Sequence, residues 1–106
     1  MNKRGSLPLL ILHYLSQRPC HGYQLARQIS QASQGVLDFK EGILYPVLHT
    51  MEEEGLVEAY SQEENGRLRR YYRLTHAGQS AIASESKEWD EYTAAVRKIL
   101  ATGAAS

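Results

Sequence analysis

The sequence predicts a mainly α fold that carries one two-stranded β-hairpin and ends in a long helix. Three observations predict it. Ile43, Leu44, Val47, Leu48 and Met51 recur at i, i+1, i+4, i+5 and i+8, which places them on one arc of an amphipathic helix. The β-favouring runs Val57 to Glu63 and Arg69 to Leu74 then flank Glu64-Asn65-Gly66, and Asn-Gly is the strongest short hairpin signal. From about His76 to Ala101 a helical period returns.

Length and composition bound the rest. A chain of 106 residues is one small domain with a modest core, and 42% hydrophobic with 23% charged residues is ordinary for a globular protein. No apolar run approaches the roughly 20 residues of a membrane span. Lys3 and Arg4 precede the apolar Leu7 to Leu12, but that run is short, contains Pro8 and leads into His13 and Tyr14 with no small-residue cleavage site, so no signal peptide is expected. The single cysteine, Cys20, excludes an internal disulfide framework and suits a reducing cytoplasm.

The net charge is zero, yet the charges are segregated. No acid occurs from Met1 to Leu37 or from Arg67 to Ser84, whereas carboxylates gather at Glu52 to Glu54, Glu58, Glu63, Glu64 and Glu85 to Glu91. Local field decides phosphate binding, so a basic face with an acidic back is the expectation.

Taken in order, the first helix spans Leu7 to Leu15, with Ser6 as N-cap and Pro8 in the first turn, where its missing N–H does no harm. Arg18-Pro19 ends it. His21 to Ser33 restarts the helical period, offering Tyr23, Leu25, Ala26, Ile29 and Ala32 to the core, and Gly35 stops it. In the next helix Pro46 is harmless if the helix starts near Ile43 and removes a hydrogen bond if it starts at Glu41. Lys40 is a poor N-cap, so an irregular start is expected. Glu52 to Glu54 and Gly55 close that helix. Thr75 caps the last one. Its apolar positions Ile82, Trp89, Tyr92, Val96 and Ile99 are spaced seven, three, four and three, a heptad-like stripe that one helix cannot bury alone. Glu85 leaves the seam imperfect. The expected partner is a second copy, giving a two-fold homodimer.

Opposite the apolar arc of the third helix lie Tyr45, Pro46, His49 and Thr50. A helix with one face in the core and polar and aromatic side chains on the other can lie in a major groove and read base edges. With a hairpin and clustered arginines behind it, this describes a winged helix-turn-helix suited to nucleic acid. Arg67, Arg69 and Arg70 are the phosphate or minor-groove candidates on the hairpin, and Lys3 and Arg4 could add contacts from an N-terminal arm. Strand alternation turns Arg69, Tyr71 and Arg73 to one side and Arg70 and Tyr72 to the other, so Arg70 or Arg73 could instead pair with Glu58 or a neighbouring acid. The domain boundary expected from this pattern separates a DNA-binding unit, 1–75, from a dimerisation helix and tail, 76–106.

Three segments carry a family resemblance: HGYQLARQI (His21 to Ile29), GILYPVLHTMEEEGL (Gly42 to Leu56) and RLRRYYRLTHAGQ (Arg67 to Gln79). Together they closely resemble the PadR family of bacterial transcriptional regulators, over roughly Leu7 to Ala83. The resemblance implies a winged helix-turn-helix, a homodimer made through the C-terminal helix, and repression of a nearby promoter relieved by a small molecule or stress. The single C-terminal helix is similar to the short branch of the family. There, a tryptophan on the last helix lines a flat hydrophobic pore, which implies an aromatic effector at Trp89 and Tyr92. Lys40, where a small polar cap is common, and Glu63 and Glu64 at the hairpin tip depart from the pattern.

The expected partners are double-stranded DNA, a second copy and a small-molecule effector, with no membrane. Two groove helices about one DNA turn (roughly 34–36 Å) apart would require a palindromic operator. No catalysis is expected, because Cys20-His21 lacks an oxyanion motif or a second acid. Four scattered histidines and one cysteine form no metal pattern, and no cofactor is expected. Two alternatives remain at this point. One is a winged-helix module that binds protein, and the other is a regulator of another winged-helix family that senses metal or oxidant through Cys20.

Overall fold

The computed structural model describes residues 5–105. Helix α1 runs Leu7–Leu15 with Pro8 in its first turn. Ser6 stands at the N-cap but makes no side-chain cap bond. Leu7, Ile11, Leu12 and Leu15 are buried, so this helix forms the centre of the core.

A two-residue strand, β1 (Cys20–His21), leads into α2 (Gly22–Ala32). His21 lies outside the helix, as its N-cap. Gln24 N donates to His21 Nδ1 while His21 N donates to Gln24 Oε1, a reciprocal capping box. Leu25 and Ile29 are buried and Ala26 packs beside them, but Tyr23 is 58% exposed and Ala32 is also exposed, so neither belongs to the core.

Helix α3 spans Glu41–Glu53; Lys40 at its N-cap supplies no side-chain cap, and its carbonyl accepts from both Ile43 N and Leu44 N at 2.9 Å. Pro46 therefore lies inside the helix and removes one backbone donor. Gly42, whose carbonyl would otherwise accept from residue 46, is exposed like Pro46, so that carbonyl is open to water. Leu44, Leu48 and Met51 are buried with Val47 packed at their edge, whereas Ile43 is 53% exposed. The apolar arc is thus narrower than the spacing suggested, and Ile43 stands on its rim.

Strands β2 (Val57–Glu64) and β3 (Arg67–Leu74) form the hairpin, from Val57 opposite Leu74 to Glu64 opposite Arg67. Asn65 and Gly66 have φ of 52° and 79°, the left-handed pair that a two-residue type I′ turn requires. Strand β1 pairs with β3 at Tyr71 and Tyr72, so the antiparallel sheet has three strands in the order β1-β3-β2. The expected two-stranded hairpin is present, with this short strand added at its base.

Helix α4 (His76–Ala105) starts on Thr75, whose Oγ1 accepts from Gly78 N and donates to the Gly55 carbonyl. Thr75 N also donates to the Leu56 carbonyl, tying this helix to the end of α3. A Cβ on Gly78 would run into the Leu56 carbonyl oxygen, so only glycine permits this approach. At 1.5 Å per residue, α4's 30 residues extend about 45 Å, well past the core. Among the described residues, no helix is long and apolar enough to cross a membrane.

Candidate nucleic-acid interface

Helix α3 is seated by Leu44, Leu48 and Met51, which leaves Tyr45, Pro46 and His49 exposed and Thr50 half-buried. Thr50 Oγ1 donates to the Pro46 carbonyl, so its hydroxyl proton is held along the helix. His49 Nε2 lies 3.7 Å from Glu53 Oε2, one turn away. Tyr45 is also committed inward. Its ring rests on Gly22 at the start of α2, and burial, then Glu41 and Tyr72, push its phenol pKa above the ordinary value, with Arg69 opposing. It remains 38% exposed, so one edge of the ring still reaches the outer surface. The four residues therefore lie together on one helix face, with Tyr45 at its border.

The hairpin arginines are more committed than their number suggests. Arg69 Nε lies 3.2 Å from Glu64 Oε2, and Arg73 Nε donates to Glu58 Oε1 at 2.7 Å. Arg73 also sits over the Tyr60 ring, 4.5 Å from its centroid. Arg70 Nη2 donates to both carboxylate oxygens of Glu52 on α3 at 3.2 Å, and its Nε donates to Tyr72 Oη at 3.2 Å. Both alternatives for Arg70 and Arg73 are thus realised. Arg67, at the tip, makes no ion pair among the described residues. Lys3 and Arg4 lie outside the described residues.

The outer face of the sheet carries a band of rings. Tyr71 is edge-on to His21 at 5.3 Å and stacked with Tyr60 at 5.8 Å, while its hydroxyl donates to Glu64. That bond, then burial, holds the Tyr71 phenol above its ordinary pKa. Burial first, then Arg69, lowers the His21 pKa against an opposing pull from Glu64. These groups position the hairpin and the start of α2.

Sequence reasoning missed three residues on this side. Leu68 is 76% exposed at the hairpin tip, between Arg67 and Arg69, an apolar side chain with no core to join. Tyr23 is exposed, with the Arg27 guanidinium 5.7 Å from its ring centroid. The absence of acids before Asp38 hinted at Arg27, but nothing in the spacing separated Tyr23 from core positions.

On α4, Ile82 packs against its own domain's core, Trp89 is half-buried and stacked on Tyr92 at 5.9 Å, and Val96, Ile99 and Leu100 are exposed. The stripe beyond Ile82 is consequently uncovered. A concavity of about 380 Å³ beside it is lined by Glu88, Glu91, Tyr92 and Ala95. Among the described residues, no group of three or more His, Cys, Asp or Glu could hold a metal ion.

Helices α1 to α3, with a three-stranded antiparallel sheet whose β2–β3 hairpin projects, form a winged helix-turn-helix domain from which α4 extends. Comparison with known proteins gives the family. The model of the transcriptional regulator PadR-like family matches residues 11–84. Transcriptional regulator Rv3488 of Mycobacterium tuberculosis is 34% identical over 89 residues, covering 84% of this chain and 80% of that protein. Among solved structures, a transcriptional regulator from Clostridium thermocellum superposes with a TM-score of 0.81 at 27% identity, covering 90% of this chain and 93% of that one. A PadR family transcription regulator from Clostridium difficile gives 0.72 at 28% identity, covering 91% and 99%. The chain belongs to the PadR-like family of transcriptional regulators, which are regulators and not enzymes.

Proposed function

We propose that this regulator is a cytoplasmic homodimeric repressor that binds a palindromic operator through residues 1–75 and pairs through 76–106. The observation that carries the reading is the seating of α3. Its apolar arc is locked into the core while Tyr45, Pro46, His49 and Thr50 face outward beside the hairpin. In this reading His49 and Thr50 contact base edges, Tyr45 and Pro46 contact a thymine methyl or the backbone, and Arg67 contacts phosphate or the minor groove. Arg69 joins it to the extent that Glu64 leaves its guanidinium free. Leu68 is suited to the apolar wall of a minor groove.

The uncovered stripe of Tyr92, Val96 and Ile99 with Trp89 supports pairing of two α4 helices, since a lone helix gains nothing from exposing it. Trp89 and Tyr92 would then face a flat aromatic effector whose binding releases the operator. Glu88 and Glu91 at the rim of the adjacent concavity favour an effector with positive charge.

The test is selection of duplexes from a random pool by the purified protein, repeated with His49→Ala and Thr50→Ala. The reading requires an enriched palindrome from the wild type and an altered consensus from the variants. Unselected sequences, or one consensus from all three proteins, would refute the role given to α3.

A further inference from the structure

We infer that Arg70 is a positioning residue, a clamp that sets the angle of the hairpin against α3 and does not bind phosphate. The inference rests on the DNA-binding reading and reassigns one of its arginines. Arg70 Nη2 holds both oxygens of Glu52 at 3.2 Å, and Nε holds the hydroxyl of Tyr72, a residue only 4% exposed and part of the core. The guanidinium therefore ties the hairpin to the last turn of α3, while the buried Tyr72, two residues along the same strand, steadies it from within β3. Arg69–Glu64 and Arg73–Glu58 differ in kind, because both partners of each lie within the hairpin. They stiffen it without fixing its direction.

Location makes the clamp consequential. Strand β1 supports β3 only at Tyr71 and Tyr72, so Arg70 is the first β3 residue on the tip side without a third strand beside it. From Arg70 to Arg67 the hairpin is two-stranded, and an unsupported hairpin is marginal. At about 3.3 Å per residue that overhang is roughly 10 Å, so a tilt of roughly 15° at its base moves the tip by roughly 2–3 Å. A shift of that size breaks hydrogen bonds, whose useful range is a few tenths of an ångström. Charge argues the same way. A phosphate approaching Arg70 also approaches the Glu52 carboxylate, which cancels much of the attraction.

The test measures binding of wild type, Arg70→Gln, Glu52→Gln and the double variant to a duplex enriched by the wild type, across a salt series. The clamp predicts that each single variant weakens binding about tenfold and that the double variant loses no more than either one. The salt slope and thermal midpoint should stay unchanged. Hydrogen exchange without DNA should speed up across Gln62 to Arg69 in both single variants and not in α1 or α3. Tighter binding by Glu52→Gln, with a flatter slope for Arg70→Gln, would show a freed phosphate contact and overturn the clamp alone. Unchanged exchange would overturn it independently of DNA. A wild type that enriches no duplex removes the DNA reading itself.

Discussion

The phenol ring of Tyr45 lies on Gly22, so closely that a Cβ at residue 22 would overlap its hydroxyl and ring carbons. One aromatic side chain of α3 thereby sets the distance to the first turn of α2, and glycine is the residue that allows it. Tyr45 is thus a spacer as well as a surface residue.

Gly22→Ala should destabilise the fold by about 1 kcal/mol, the low end of overpacking, because the far end of a part-exposed ring must swing aside. In a Tyr45→Ala background the same substitution should be close to neutral. Urea denaturation of the four proteins measures this, and equal costs in both backgrounds would show that the ring is not the obstacle.

His21 makes stability depend on pH. Its imidazole accepts from Gln24 N, is buried against Tyr71, and has Arg69 and Glu64 nearby, and its pKa lies below the ordinary 6.5. The unfolded chain then takes up a proton near 6.5 that the folded chain resists. This contribution is full above that value and is lost as pH falls from it through the lower folded-state pKa. The wild type should lose more stability between pH 7.5 and 5.5 than His21→Asn does. Such a variant keeps a capping side chain and removes the titration. Parallel pH profiles would exclude His21 as the source.

The fold was largely legible, and the reasons are local. Leu7 to Leu15 and the Asn65-Gly66 turn stand where the sequence placed them, since periodicity and turn chemistry act over a few residues. Strand β1 was hidden because two residues show no alternation and its existence depends on pairing with Tyr71 and Tyr72. His21 read as helical because a histidine cap needs Gln24 to answer it. The exposure of Tyr45, Pro46 and His49 followed from the face opposite Leu44 and Leu48. The fate of the arginines did not, because Arg69–Glu64 and Arg70–Glu52 depend on diagonal neighbours and on where α3 ends beside β3.

The hairpin cations should separate by salt dependence. Arg67→Gln should reduce the slope of log affinity against log salt by about one, the loss of a single phosphate contact. Arg73→Gln should leave it unchanged, because that guanidinium is held by Glu58 and the Tyr60 ring. Equal slopes in the two variants would contradict the division.

Pairing through α4 predicts that Ile99→Glu, at a position 70% exposed in the single chain, converts a dimer to a monomer. Sedimentation velocity reads the change, and an unchanged circular dichroism spectrum shows that the domain stays folded. Binding to a palindromic duplex should weaken at least a hundredfold, because two half-sites no longer act together. An Ile99→Glu protein that remains dimeric would place the interface elsewhere.

The central claim is that two copies hold one duplex through outward-facing helices and basic hairpins. Sedimentation of the wild-type protein with an enriched duplex, at several salt concentrations, tests it most directly. The account predicts two chains per duplex and an affinity that falls steeply with salt, linearly on logarithmic axes. A monomeric protein with salt-insensitive or absent duplex binding would contradict it.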